Sequence, residues 1–235
     1  MSEPDASAVT DLPTGAEKAE VIRRMFDRIA GRYDLVNRVM TLGLDVGWRR
    51  RTVRELRLPG DELVADLACG TGDLCAELIE GGYRAIGFDF SHGMLANATA
   101  SAPLVQADIL RLPLADASVD GATCGFAMRN VTDLAALFME TARVVRPAGR
   151  VAFLETSEPD GGLLRAGHAL YFRGIVPLIG GVLSDRDAYR YLPRSTAYLP
   201  TPAELFTGLE NAGFTDVERF LLGAGSAQLL VGTRR

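Results

Sequence analysis

The 235 residues include 25 lysines and arginines against 30 aspartates and glutamates, for a net charge of −5 and a pI near 5.2. That balance excludes a general nucleic-acid binder, which needs a concentrated positive field to neutralise phosphates. With 48% hydrophobic residues the chain can enclose one substantial α/β core without a second domain, and no stretch reaches the ~20 apolar residues that cross a bilayer.

Residues 1–16 are polar and acidic, lack the apolar core of a signal peptide, and read as a flexible tail ahead of a single domain over 17–235. Within the first helices Trp48 reads as a packing residue. Arg49, Arg50, Arg51, Arg54 and Arg57 form a basic run on one helix, read either as a solvated face with acidic neighbours or as a contact for anionic lipid headgroups. Cys69, Cys75 and Cys124, with only His92 and His168 to join them, offer no Cys-x-x-Cys pair and no zinc-ligand spacing, so no metal site is expected and a reducing cytoplasm fits.

The most informative stretch comes next. Leu63-Val64-Ala65-Asp66-Leu67 reads as a buried strand that runs through Ala68-Cys69-Gly70-Thr71-Gly72 into a helix start. Gly70 and Gly72 permit positive φ and close backbone approach to a ligand, and the amides opening the helix offer donors. Two glycines in a tight turn are also compatible with a plain strand-to-helix connection. A second apolar run, Arg84-Ala85-Ile86-Gly87-Phe88, ends in Asp89 at the spacing where an acid accepts two ribose hydroxyls. A dinucleotide fingerprint requires a third glycine three positions beyond Gly72, where this chain has Cys75, and an acid, Asp66, precedes the loop instead. The pattern therefore favours S-adenosylmethionine, which has no pyrophosphate to seat.

Further on, Val105-Gln106-Ala107-Asp108-Ile109 ends a third apolar segment with an acid placed for the adenine amine. Residues 119–125 read as a fourth strand, 133–145 as a helix, Arg146-Pro147-Ala148-Gly149 as its stop, and 150–154 as a fifth strand. Strand and helix alternating at this pitch predict a parallel sheet with crossover helices. A long insertion over about 158–200 holds Tyr171, Phe172, Ile175, Leu178 and Leu183, which either roof a greasy substrate or pack the insertion onto the sheet. Residues 214–221 and 228–233 read as an antiparallel pair closing the sheet.

This arrangement resembles the class I S-adenosylmethionine-dependent methyltransferases. The resemblance narrows at Phe26-Asp27-Arg28-Ile29-Ala30-Gly31-Arg32-Tyr33-Asp34-Leu35-Val36-Asn37, Leu42-Gly43-Leu44-Asp45 and Trp48-Arg49, which look like the signature of the ubiquinone and menaquinone C-methyltransferases. Phe126-Ala127-Met128-Arg129-Asn130-Val131, Leu154-Glu155-Thr156-Ser157-Glu158-Pro159 and Tyr189-Arg190-Tyr191-Leu192 agree with that family. The chain departs from the family pattern at Gly125, Ala127 and Met128, at His168 and Ala169, at Arg194-Ser195-Thr196, and over 223–230, positions that cluster where an acceptor would be held.

The resemblance implies a doubly wound, mostly parallel seven-stranded α/β sheet with N-terminal helices and a helical lid, and carbon methylation of a demethylmenaquinol-type hydroquinone. It implies donor contacts from Asp66, Gly70, Thr71, Gly72, Asp89, Phe90, Asp108, Ile109 and Gly125, with Asp66 an orienting acid. Arg129, Asn130 and Tyr33 are the catalytic candidates. An arginine, with a pKa above ~12, is a poor base, so Arg129 is expected to stabilise a phenolate and Asn130 to orient the hydroxyl; a salt-bridged arginine and a capping asparagine are the plainer readings. Tyr33 would close the site, and His168 is a weaker proton acceptor. His92 would sit beside the donor or in solvent. Expected partners are a prenylated hydroquinone, a membrane surface visited peripherally from the cytoplasmic side, and a second copy in a homodimer. Two other readings stand beside this one: a methyltransferase for another small aromatic or isoprenoid acceptor, and a donor-binding scaffold without catalysis.

Overall fold

A computed structural model describes residues 15–159, 161–171, 174, 191 and 195–235. The described residues build a seven-stranded sheet of order β3-β2-β1-β4-β5-β7-β6. Its strands are β1 (Leu63–Leu67), β2 (Arg84–Asp89), β3 (Leu104–Gln106), β4 (Val119–Gly125), β5 (Val145–Thr156), β6 (Phe214–Leu222) and β7 (Ala227–Arg234). The first five run parallel, and β7 lies antiparallel between β5 and β6. The antiparallel pair thus falls where the sequence places it.

Both faces of the sheet are covered, as a parallel sheet requires. Along β5 the side chains alternate between two cores: Val151 and Phe153 enter one, Ala152 and Leu154 the other. The first core lies under α6 (Leu134–Val144) and α8 (Pro202–Asn211). There Phe138 meets Phe153 edge-on at 5.3 Å, a geometry worth about 1 kcal/mol beyond the area buried. The second lies under α3 (Leu44–Glu55) and α4 (Asp73–Glu80). Sequence signals set the helix ends: Asp133 caps α6 by accepting from Ala136 N at 2.9 Å, and Thr201 with Glu204 forms a capping box on α8.

A third, smaller cluster joins α1 (Gly15–Ile29) to α2 (Tyr33–Met40). Met25, Ile29, Val36 and Met40 are its buried members, and Ile22, Met25 and Ile29 give α1 one apolar stripe at helical spacing. Helix α1 already includes Gly15 and Ala16; the rest of the expected tail lies outside the described residues.

Two boundaries differ from the sequence expectation. The third strand ends at Gln106, because the Asp108 carboxylate turns back to accept from Leu110 N at 2.9 Å and diverts the backbone into a loop. The fifth strand starts at Val145 rather than 150: Val145 pairs with Val119, and a register shift absorbs the Arg-Pro-Ala-Gly turn. Gly149 is required there, since a Cβ would stand 2.6 Å from Asp120 O.

Strand order reverses between β1 and β4, so the crevice beyond their carboxyl ends is the place for a ligand.

Candidate active site

At the exit of β1, Ala68, Gly70 and Gly72 all take positive φ (56°, 57° and 89°), which swings the chain across the sheet before α4. Gly70 N donates to Asp89 Oδ2 at 2.8 Å, and Ser91 N donates to Oδ1 at 2.8 Å. A carboxylate accepts about four hydrogen bonds, so the tip of β2 keeps acceptor capacity for ligand hydroxyls. Burial pushes the Asp89 pKa up, opposed by the Ser91, Gly70 and Phe90 amides.

These strand tips open on a cleft of ≈ 200 Å³. Gly70, Asp89, Phe90, Asp108, Ile109 and Gly125 line it as expected, and so do Tyr33 and Asn130. At Gly70 nothing lies within 4 Å of a notional Cβ, leaving the backbone open to a ligand. Two carboxylates at one end and an apolar wall of Phe90, Met94 and Ile109 match an adenosine: ribose hydroxyls and an adenine amine to donate, a ring face to pack.

Three expected donor contacts lie elsewhere. The Thr71 hydroxyl donates to Asp34 Oδ1 at 2.6 Å, so Thr71 ties α2 to the loop rather than facing the cleft. Gly72 is the N-cap of α4, packed so that a Cβ would meet Ala100 Cβ at 2.6 Å. Asp66 stands behind the loop, 1% exposed, accepting from Thr123 Oγ1 at 2.8 Å and from the Cys75 thiol at 3.5 Å. Burial raises its pKa to about 7.

The N-terminal helices roof the cleft through Ala19, Ile22 and Phe26. Polar clasps hold them, none of which the sequence announced. Asp27 Oδ1 accepts from Ser91 Oγ at 2.6 Å and from Gly93 N at 2.9 Å. Lys18 Nζ donates to Val131 O at 2.8 Å and lies 3.7 Å from the centroid of the Tyr198 ring, its pKa lowered by burial to about 8.

A second cavity adjoins the first, and Tyr33 and Phe126 line both. Its further walls include Asn37, Trp48, Arg49, Arg129, Thr156 and Ser226. Phe126 takes φ 57°, a conformation that costs a non-glycine residue of order 1–3 kcal/mol and recurs at functional sites; its ring lies 6.2 Å from that of Trp48. Burial pushes the Tyr33 pKa up, opposed by Arg129, by the Asn37 side chain and by Arg49.

Arg129 and Asn130 are adjacent in sequence yet serve different spaces. Both belong to a 3-10 turn, Met128–Asn130. Asn130 lines the first cleft, its Oδ1 accepting from Tyr191 OH at 3.4 Å. Arg129, expected to stabilise a phenolate, is 5% exposed and lines the second cavity. Its Nη1 is salt-bridged to Glu155 on β5, and its backbone N donates to Glu155 Oε2 at 3.2 Å.

The basic run is not all on one helix, because α3 ends at Glu55 and Arg57 follows at φ 50°; it largely carries acidic partners: Arg50 with Glu77 at 3.2 Å, Arg51 with Glu55 at 2.6 Å, Arg57 with Glu55 at 2.5 Å. Arg49 departs from the rest, buried and paired with Asp45 and with Asp73 at 3.1 Å. The spacing of Asp45 and Arg49, four apart on a helix, was the signal available in sequence. His92 opens α5 (His92–Ala96) on an exposed position. Tyr171 OH donates to Met40 O at 2.8 Å, tying that residue to α2. The His168 side chain, and Phe172, Ile175, Leu178 and Leu183, lie outside the described residues.

A doubly wound sheet of this order, with Asp89 and Asp108 lining one cleft at its carboxyl ends, has the fold of the class I S-adenosylmethionine-dependent methyltransferases. The ubiE/COQ5 methyltransferase family matches residues 14–234, and the chain belongs to it. It is 44% identical to the demethylmenaquinone methyltransferase of Roseiflexus castenholzii, over 95% of this chain and 98% of that one. It is 39% identical to the ubiquinone/menaquinone biosynthesis C-methyltransferase UbiE of Syntrophotalea carbinolica, over 90% and 93%. Among solved structures, a methyltransferase from Thermotoga maritima described as a possible histamine N-methyltransferase shares the fold at a TM-score of 0.65 and 17% identity, covering 91% of this chain and 100% of that one. Phosphoethanolamine N-methyltransferase 2 of Haemonchus contortus, solved with S-adenosyl-L-methionine, shares it at 0.59 and 12% identity, over 80% and 52%. As a member of that family, the enzyme takes S-adenosylmethionine as its methyl donor.

Proposed function

We propose that the enzyme methylates a ring carbon of a demethylmenaquinol-type prenylated hydroquinone. The observation that carries this reading is the pair of cavities joined at Tyr33 and Phe126: one fits the donor, and the other presents a buried arginine. The names of the relatives support the acceptor class. Thr196 and Ser226, in segments where the chain departs from its family, line the second cavity, so the acceptor's finer structure is the property most open to variation.

At ≈ 70 Å³ the second cavity admits the hydroxyl-bearing edge of a ring rather than a whole one, since a cavity of about 150 Å³ holds a benzene. The rest of the ring then lies at Tyr33 and Phe126, toward the donor. Bound in the first cleft, S-adenosylmethionine supplies an electrophilic methyl carbon, which the ring carbon takes as the C–S bond breaks and neutral S-adenosylhomocysteine is left. Asp89 and Asp108 hold the adenosine, and Gly70 and Gly125 let it approach the backbone. Arg129 stabilises the phenolate that makes the neighbouring ring carbon nucleophilic; the hydroxyl proton passes to water, and after attack the ring proton leaves while the oxygen regains a proton from water, restoring the aromatic hydroquinone. Asn130 orients the hydroxyl, and Tyr33, Phe126 and Trp48 exclude bulk water, which strengthens the arginine's field.

The prenyl tail requires an apolar exit. Leu35, Val39, Leu42 and Leu44 are exposed hydrophobics of α2, its following turn and the start of α3, flanking Met40 and Thr41 of the second cavity. This face supports peripheral contact with a membrane from which the acceptor is drawn. Incubating the pure protein with labelled donor and a short-chain demethylmenaquinol under reducing conditions tests the reading: the methylated hydroquinone is expected, and absence of transfer rejects it. Transfer to other phenols but not to this one would favour a different aromatic acceptor.

A further inference from the structure

Glu155 has no role in the account so far beyond its contact with Arg129, yet it is 0% exposed, at the carboxyl end of a central strand. Its carboxylate receives Arg129 Nη1 and Arg129 N, and also Thr156 N at 2.7 Å. Arg129 Nε, by contrast, is buried with no hydrogen-bond partner among the described residues. The guanidinium is thus gripped on one side and keeps one donor unmet in a side chain that lines the second cavity. The side chain itself lines the cavity, so its charge acts on an oxygen bound there.

We propose that Glu155 is a positioning residue that sets the acidity of the acceptor hydroxyl. It fixes the guanidinium at the wall of the second cavity, and its negative charge cancels most of the field that Arg129 would otherwise exert. The bound hydroxyl then meets a hydrogen-bond donor in a nearly neutral pair, not a bare cation. Arg129 supplies the bond that strengthens as the oxygen becomes anionic; Glu155 limits how far the ground state is ionised before the methyl is aligned. This rests on the hydroquinone reading above for the choice of probe.

The probe is 4-nitro-1-naphthol, whose anion is coloured, titrated by absorbance with the wild-type enzyme and S-adenosylhomocysteine. Glu155→Gln keeps the shape and removes the charge. Two unit charges several ångströms apart at an effective dielectric of about 20 are coupled by roughly 1–2 pH units, so the bound probe's pKa is expected to fall by about one unit relative to wild type. The acidic limb of kcat moves the same way, and S-adenosylhomocysteine affinity is unchanged. An unmoved or raised pKa, with loss of activity alone, would overturn the proposal and leave Glu155 a structural brace. If Glu155→Gln does not fold, Glu155→Asp tests the same link: it retains the charge, so the probe's pKa stays at the wild-type value, while kcat falls several-fold because the fork is drawn back. A pKa shift of about a unit in Glu155→Asp contradicts the proposal. Failure of wild-type enzyme to bind the naphthol rejects the aromatic-acceptor reading and this proposal with it, whereas binding with no response to Glu155 rejects this proposal alone.

Discussion

In the proposed site, Asp89 is the residue expected to carry most of donor binding. Its carboxylate already receives the Gly70 and Ser91 amides, so its position is fixed before ligand arrives, and two added hydrogen bonds to a charged acceptor are worth about 1.5–3 kcal/mol each. Asp89→Ala is expected to weaken S-adenosylhomocysteine binding at least 100-fold by calorimetry; equal binding would contradict the ribose assignment. Asp66 acts in the opposite sense, on stability. Burial raises its pKa from 3.8 to about 7, so between those values the folded protein keeps a proton that the unfolded chain has released. Its contribution is full below about pH 4 and is lost as pH rises through 7, of order 4 kcal/mol in all. The melting temperature of wild type minus that of Asp66→Asn should therefore fall from pH 5 to pH 8, and a flat difference would show that Asp66 is ionised when folded. At this scale sequence reading located the acids at the strand tips, because each is set by local strand periodicity. The hydroxyl of Thr71, expected at the donor, is bonded to Asp34, a residue 37 positions away, a pairing that local periodicity does not encode.

Among the elements, α1 and α2 decide access to the donor. They are tied down by Asp27 on Ser91 and Gly93, Lys18 on Val131, and Asp34 on Thr71. Loss of one such side-chain bond costs about 1 kcal/mol or more. Thr71→Val and Asp34→Asn are each expected to weaken S-adenosylhomocysteine binding about tenfold, with no further loss in the double variant. Additive losses would mean that Thr71 touches the donor directly. The exposed leucines beside α2 carry a separate expectation. Leu42, 78% exposed at positive φ, changed to aspartate should reduce sedimentation with phosphatidylglycerol–phosphatidylethanolamine vesicles tenfold or more, since burying a leucine is worth about 1.5–3 kcal/mol. Activity on a short-chain acceptor in solution should stay unchanged, and undiminished sedimentation would reject this face as the contact. The early end of β3 and the early start of β5 were hidden in sequence, because a side-chain turn at Asp108 and a register shift opposite Val119 are pairing events, not propensities.

For the molecule as a whole, ligand and fold are one equilibrium. On the proposed reading, donor product binds the cleft assembled from β1, β2, β4 and α1, so it is expected to stabilise only the folded chain, by about 2.7 kcal/mol at a hundred times Kd. For a chain of this length that corresponds to a rise in melting temperature of roughly 5–10 °C, abolished in Asp89→Ala; a smaller rise would mean a cleft that closes elsewhere. The sequence by itself determined the class of fold, the donor, and most of the acids and glycines that line the cleft. Alternating strands and helices, a two-glycine loop and acids at strand tips are local patterns, and parallel topology brings strand tips together without further instruction. Only the tertiary structure decided that Arg129 and Asn130 face separate cavities, that Tyr33 and Phe126 stand between them, and that a buried Glu155 claims the arginine. Those outcomes depend on which distant backbone each side chain meets when β4, β5 and α2 converge, and a buried charge settles where its partner is, wherever in the sequence that partner lies.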